Sequence, residues 1–199
     1  MDNDSQLVAI RNYIYNIFSD DASGHDFFHM KRVARMAKKI ASNEQANPFI
    51  CETAAWVHDI GDPKLFTDST LAIKEMEVFL HKISCTHCQV DRVIRAIDDI
   101  AFHKGRIPET LEGKIVQDAD RLDAIGAVGI ARTFAYGGSN GQLLWHDDDA
   151  RQRNTSIQHF YDKLLTLKDT MNTETAKEIA VHRHQFMEMY LQQFLQEWQ

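Results

Sequence analysis

Cysteine is scarce in this chain: Cys51, Cys85 and Cys88 among 199 residues are too few, and odd in number, for a disulfide framework. Cys85-Thr-His-Cys88 has the spacing of half a zinc site, but no second Cys/His pair at matching spacing completes it, and helix-terminus cysteines are the plainer reading. Long apolar runs are missing too. No stretch approaches the roughly 20 consecutive apolar residues that cross a bilayer, and Met-Asp-Asn-Asp at the start has none of the basic character of a signal peptide. The expectation is a cytoplasmic protein that does not engage membranes. Basic residues are outnumbered, 22 Lys and Arg against 29 Asp and Glu for a formal charge of −7, and no basic run concentrates them. An extended nucleic-acid partner is therefore disfavoured, because it would need clustered Lys and Arg.

Proline (three) and glycine (nine) are also sparse, so little interrupts regular structure in a chain that is 44% hydrophobic. Apolar residues recur at spacings of three and four far more often than two, which predicts an all-α fold, a single-domain helical bundle spanning 1–199. Leu7, Ile10, Ile14, Ile17 and Phe18 stripe a first helix, which turn-forming residues end at 19–24. A second helix is predicted over 26–42, with Val33, Met36, Ala37 and Ile40 inward, and Asn47-Pro48 reads as the start of a third. Further helices are predicted over 69–82, 86–100, 108–123, 155–167 and 173–198. A Gly- and Asp-rich stretch makes a long loop near 137–153, in which Asp147, Asp148 and Asp149 read as a solvated acidic run.

Ten histidines are the unusual abundance. His29 lies on the apolar stripe of the second helix, four residues before Val33, where a desolvated imidazole needs a partner. His58 is in phase with Ala54 and is followed at once by Asp59. Asp118, Asp120 and Asp123 interrupt an apolar pattern of Leu111, Ile115, Ala119 and Leu122, and carboxylates near a core call for a metal, an arginine or a proton. One such residue alone means little. A histidine, a His-Asp pair and an aspartate cluster on three predicted helices supply the imidazole and carboxylate donors that suit Mn²⁺, Fe²⁺, Ni²⁺ or Zn²⁺.

These residues resemble the HD-domain phosphohydrolases, in particular their small, stand-alone bacterial branch. The likeness runs through His25-Asp-Phe-Phe-His29-Met-Lys-Arg32-Val33, Ala55-Trp-Val-His58-Asp59-Ile-Gly61-Asp62 and Asp118-Ala-Asp120-Arg-Leu-Asp123-Ala-Ile-Gly126. It continues through Gly129-Ile-Ala-Arg-Thr-Phe134 and Tyr136-Gly-Gly138 into the C-terminal helices.

The resemblance implies that His29, His58, Asp59 and Asp120 hold one divalent metal, Mn²⁺ favoured, with Ni²⁺, Fe²⁺, Zn²⁺ or Mg²⁺ as alternatives. Periodicity does not choose Asp120 over Asp118, and Asp118 then takes an orienting role. The implied activity is hydrolysis of a phosphate ester or anhydride of a small molecule, a nucleotide before others, by metal-activated water. The alternative is a catalytically silent module that binds metal or nucleotide and regulates. Candidate cations for phosphate oxygens are Arg32, Lys64, Lys104, Arg121, Lys163 and Arg183. Arg183 stands mid-stripe between Ala176, Ala180, Met187, Leu191, Phe194 and Trp198, where phosphate contact and a structural ion pair are equal readings. His25, Asp62 and His103 are candidates to move a proton to the leaving group or to order the attacking water. An exposed apolar face can also pair such a domain into a homodimer.

Overall fold

A computed structural model describes residues 1–20, 24–98, 100 and 106–198, save for the side chains of 149 and 150. Among the described residues regular structure is entirely helical, as the spacing predicts. No helix there is long and apolar enough to cross a membrane. The chain divides into two compact units, Met1–Ala119 and Asp120–Gln199.

The first unit holds α1 (Asn3–Phe18), α2 (Phe27–Asn43), α3 (Pro48–Val57), α4 (Ser69–Lys82), α5 (His87–Ile97) and the start of α6 (Leu111–Asp123). Local chemistry sets where each begins. Asp2, Asp26, Asn47, Asp68 and Thr86 each accept a hydrogen bond from an otherwise unpaired backbone N–H of the first turn, and Pro48 occupies the first turn of α3. Thr86 and Gln89 form a reciprocal capping box. Every residue of α3 from Phe49 to Val57 is buried, so it serves as the central helix against which α1, α2 and α5 pack. One charge is buried with it: Glu52 pairs with Lys38 at 2.9 Å and Arg11 at 3.2 Å, tying α2 and α1 to the core helix.

The second unit begins in the last turn of α6 and contains α7 (Gly126–Ser139), α8 (Asp149–Gln152), α9 (Ser156–Asp162), a 3-10 helix (Leu164–Thr170) and α10 (Glu174–Trp198). Ala176, Ala180, Met187 and Leu191 are the buried positions of α10, the stripe its sequence displays. Phe134, Phe160, Tyr190 and Phe194 form an aromatic cluster joining α7, α9 and α10.

The larger departures from the sequence pattern fall in the second unit. The helix predicted over 155–167 breaks at Lys163, whose backbone leaves helical geometry (φ −136°, ψ −57°), and continues as the 3-10 helix. The spacing of buried Leu164 and Leu167 fits three residues per turn. The long loop is shorter than its composition suggests, because α7 runs to Ser139 and α8 adds a turn near its far end. α7 itself is unpredicted, since its glycines lower helix propensity. Packing outweighs propensity there: a Cβ on Gly129 would meet the Ala124 carbonyl oxygen at 2.2 Å, and one on Gly137 would meet Ser156 Oγ at 2.2 Å.

Candidate metal centre

The first unit brings His25, His29, His58 and Asp59 together. His29 sits in the first turn of α2, with its backbone N–H donating to the Asp26 cap at 2.6 Å, so the residue that starts the helix also fixes the imidazole's root. His58 ends α3, and Asp59 follows in a tight turn closed by Ile60 N–H to the Val57 carbonyl at 3.0 Å and Asp62 N–H to the Asp59 carbonyl at 3.1 Å. Gly61 makes this turn possible. Its φ is +88°, and a Cβ would stand 2.7 Å from Ile73 Cγ1.

Asp59 is the hub. Its Oδ2 lies 2.7 Å from His25 Nδ1 and 3.7 Å from His29 Nε2, and its Oδ1 lies 3.3 Å from His58 Nε2. Burial opposes ionisation of this carboxyl, but the charges of His58, His25 and His29, together with the His25 hydrogen bond, outweigh it and hold the group well below the usual carboxylate range. His58 Nδ1 donates to the Ala55 carbonyl at 2.8 Å, which orients the ring with Nε2 on the Asp59 side. One donor atom each from His25, His29 and Asp59 lies within 4.8 Å of the other two. Imidazole nitrogens around a buried, ionised carboxylate are a donor set that fits a mid-series divalent ion.

The remaining sequence candidates are distributed as follows. Arg32, half-buried on α2, is one turn beyond His29. Asp62 shapes the turn after the doublet, its Oδ1 accepting from Lys64 N–H at 2.8 Å, and the Lys64 side chain is exposed. His103 and Lys104 lie outside the described residues. Asp118 is fully buried on α6, and Asp120, half-buried two residues on, opens the second unit. In that unit Lys163 stands where α9 ends, Arg121 donates to the Thr170 carbonyl and Arg183 donates to the Leu122 carbonyl.

Two partners escaped the sequence reading. The pairing of His25 with Asp59 spans 34 residues and leaves no local signal. The Ala55 carbonyl that orients His58 did leave one, because a histidine at a helix C-terminus naturally meets the carbonyl three residues back.

The HD-domain sequence profile matches residues 26–125. The Bacillus subtilis protein YpgQ is 44% identical over 192 residues, covering 94% of this chain and 91% of YpgQ. The crystal structure of YpgQ in complex with ADP superimposes with a TM-score of 0.86 at 41% identity, over 99% of this chain and 97% of that one. A Bacillus thuringiensis protein described as an HD-superfamily hydrolase gives a TM-score of 0.83 at 39% identity, over 99% and 98% of the two chains. With a profile that takes in the His-Asp doublet and relatives this similar along nearly the whole length, the chain belongs to the HD-domain family.

Proposed function

We propose that this protein is a metal-dependent phosphohydrolase that cleaves a phosphate ester or anhydride of a nucleotide, acting in the cytoplasm as one functional domain over residues 1–199. The observation that carries the reading is the convergence of His25 and His29 on the buried Asp59 carboxylate, which is held ionised, with His58 beside it. His29, His58 and Asp59 are the ligands we assign within the first unit. Asp120 is the fourth, on the strength of the family pattern, and the profile match includes it. A divalent ion held by these residues would supply Lewis acidity for activating water and polarising a phosphoryl oxygen.

The chain's own groups do the rest. The helix cap fixes the backbone from which His29 projects, and the Ala55 carbonyl orients the His58 ring. Asp59 holds the Nδ1 proton of His25, which makes His25 Nε2 the nitrogen to accept or return a proton during hydrolysis. Arg32 and Lys64 are the cations of this unit that we assign to phosphate oxygens, and Asp62 holds the Lys64 backbone in its turn. No phosphoenzyme is required, because the nucleophile is water.

The nucleotide preference draws support from YpgQ, which was crystallised with ADP. A screen of nucleoside mono-, di- and triphosphates with Mn²⁺, scored separately for phosphate and pyrophosphate, tests the proposal. EDTA-sensitive release from at least one nucleotide is expected. Nucleotide binding without turnover under any metal would favour a regulatory binding module instead.

A further inference from the structure

The end of α6 is held by arginines. Arg183, from the middle of α10, donates through Nη1 to the carbonyl of Leu122, which also accepts from Ile125 N–H at 3.2 Å. Arg132 donates to the Asp123 carboxylate at 2.6 Å. Terminal helix carbonyls lack partners within their own helix and carry the negative end of its dipole, so a guanidinium satisfies both needs.

The contact is tightly built. Gly126 adopts φ +79° at the start of α7, and a Cβ there would lie 3.0 Å from Arg183 Cγ and 3.2 Å from its Cβ and Cδ. The aliphatic stem of Arg183 thus fills the space that the missing Gly126 side chain leaves, while its head reaches the α6 carbonyl. Burial pushes the Arg183 pKa down and the Asp123 carboxylate opposes that shift, as for a guanidinium sunk into the protein.

We infer that Arg183 is a positioning residue for the last turn of α6, fixing Asp120 through the Leu122 carbonyl, and that its work is not phosphate binding. The inference rests on the proposed role of Asp120 as a metal ligand. Asp120 lies two residues before Leu122 in the same turn, so the Arg183 contact anchors the turn that presents the Asp120 carboxylate. Groups that orient metal ligands typically govern metal affinity by 10–100-fold.

The test is Mn²⁺ titration, followed by electron paramagnetic resonance, on the wild type, Arg183→Met, Arg183→Lys and Gly126→Ala. Arg183→Met keeps the stem and removes the donor. It should weaken Mn²⁺ binding about 10–100-fold, with Arg183→Lys recovering part of the loss. Gly126→Ala crowds the same joint and keeps the guanidinium, so it should weaken binding as well, and it keeps the inference open to refutation if Arg183→Met does not fold. Leu191→Ala, a cavity elsewhere on α10, controls for general destabilisation and should lower Tm while sparing Mn²⁺ affinity. A folded Arg183→Met that binds Mn²⁺ like the wild type overturns the inference, and a raised substrate KM alongside would make Arg183 a phosphate contact. A wild type that binds no Mn²⁺ is a separate result, which removes the proposed function and with it the ground of the inference.

Discussion

His25 offers the sharpest division between a ligand and a proton carrier, because it could serve the site in either way. Its Nδ1 is 2.7 Å from Asp59 Oδ2, and its side chain is 35% exposed against 1% for His29. A histidine that reaches the centre through the Asp59 carboxylate orients a ligand, so His25→Ala should cost at most the 10–100-fold in metal affinity typical of such partners. Loss of proton transfer is a different and larger effect on turnover. General acid–base catalysis contributes roughly 10²–10⁴-fold, equivalent to about 2.7–5.4 kcal/mol in the barrier. Steady-state phosphate release at saturating Mn²⁺, paired with Mn²⁺ titration, separates the two. The expected result is a kcat reduced 10²–10⁴-fold at nearly unchanged KM, in a protein that still binds the metal. If His25→Ala abolishes metal binding as fully as His29→Ala does, His25 is a ligand. If kcat stays within about threefold of the wild type, it carries no proton, and either outcome refutes His25 as the proton carrier.

The two aspartates of α6 should separate: Asp120→Asn should cost far more metal affinity than Asp118→Asn, for which about 10–100-fold is expected, and calorimetric titration with Mn²⁺ reads the order. Gly61→Ala forces an L side chain to φ +88° with its Cβ 2.7 Å from Ile73 Cγ1, so stability should fall by about 1–3 kcal/mol in urea unfolding. Burial pushes the Cys51 thiol up to about 12 from an ordinary value near 9. The unfolded thiol therefore ionises first, so the stability Cys51 contributes is intact below about pH 9 and drains away by roughly 1.4 kcal/mol per pH unit up to about pH 12. Cys51→Ala should remove that increment from the slope of unfolding free energy against pH, and an unchanged slope would contradict the assignment.

The legible parts of the fold were those written in local pattern. The bounds of α4 and the start of α2 follow from apolar spacing and the start of α3 from Asn47-Pro48, and the structure adds the side-chain caps Asp68, Asp26 and Asn47 at those starts. His29 betrays itself by lying on an apolar stripe, and it is buried there. Arg183 likewise stands out within a stripe of buried residues, yet its partner carbonyl is 61 residues upstream and no periodicity points to it. α7 was hidden because the glycines that weaken it locally are those that permit its close packing. Periodicity also could not decide between Asp118 and Asp120, since both fall within a helix that is buried over most of its surface. The pairing of His25 with Asp59 was out of reach for the same reason as the Arg183 contact: tertiary structure, not sequence distance, makes the pair.

The central claim is that His29, His58, Asp59 and Asp120 hold a single divalent ion. It is tested most directly by metal content per chain after chelator stripping and reconstitution with Mn²⁺, in the wild type and in His58→Ala and Asp59→Ala. The account predicts about one ion per wild-type chain, the stoichiometry of a single donor set, and almost none in either variant, with helical circular dichroism retained in all three. A wild type that stays far below one ion with Mn²⁺, Ni²⁺ and Fe²⁺ alike, or folded variants that bind as the wild type does, would contradict it.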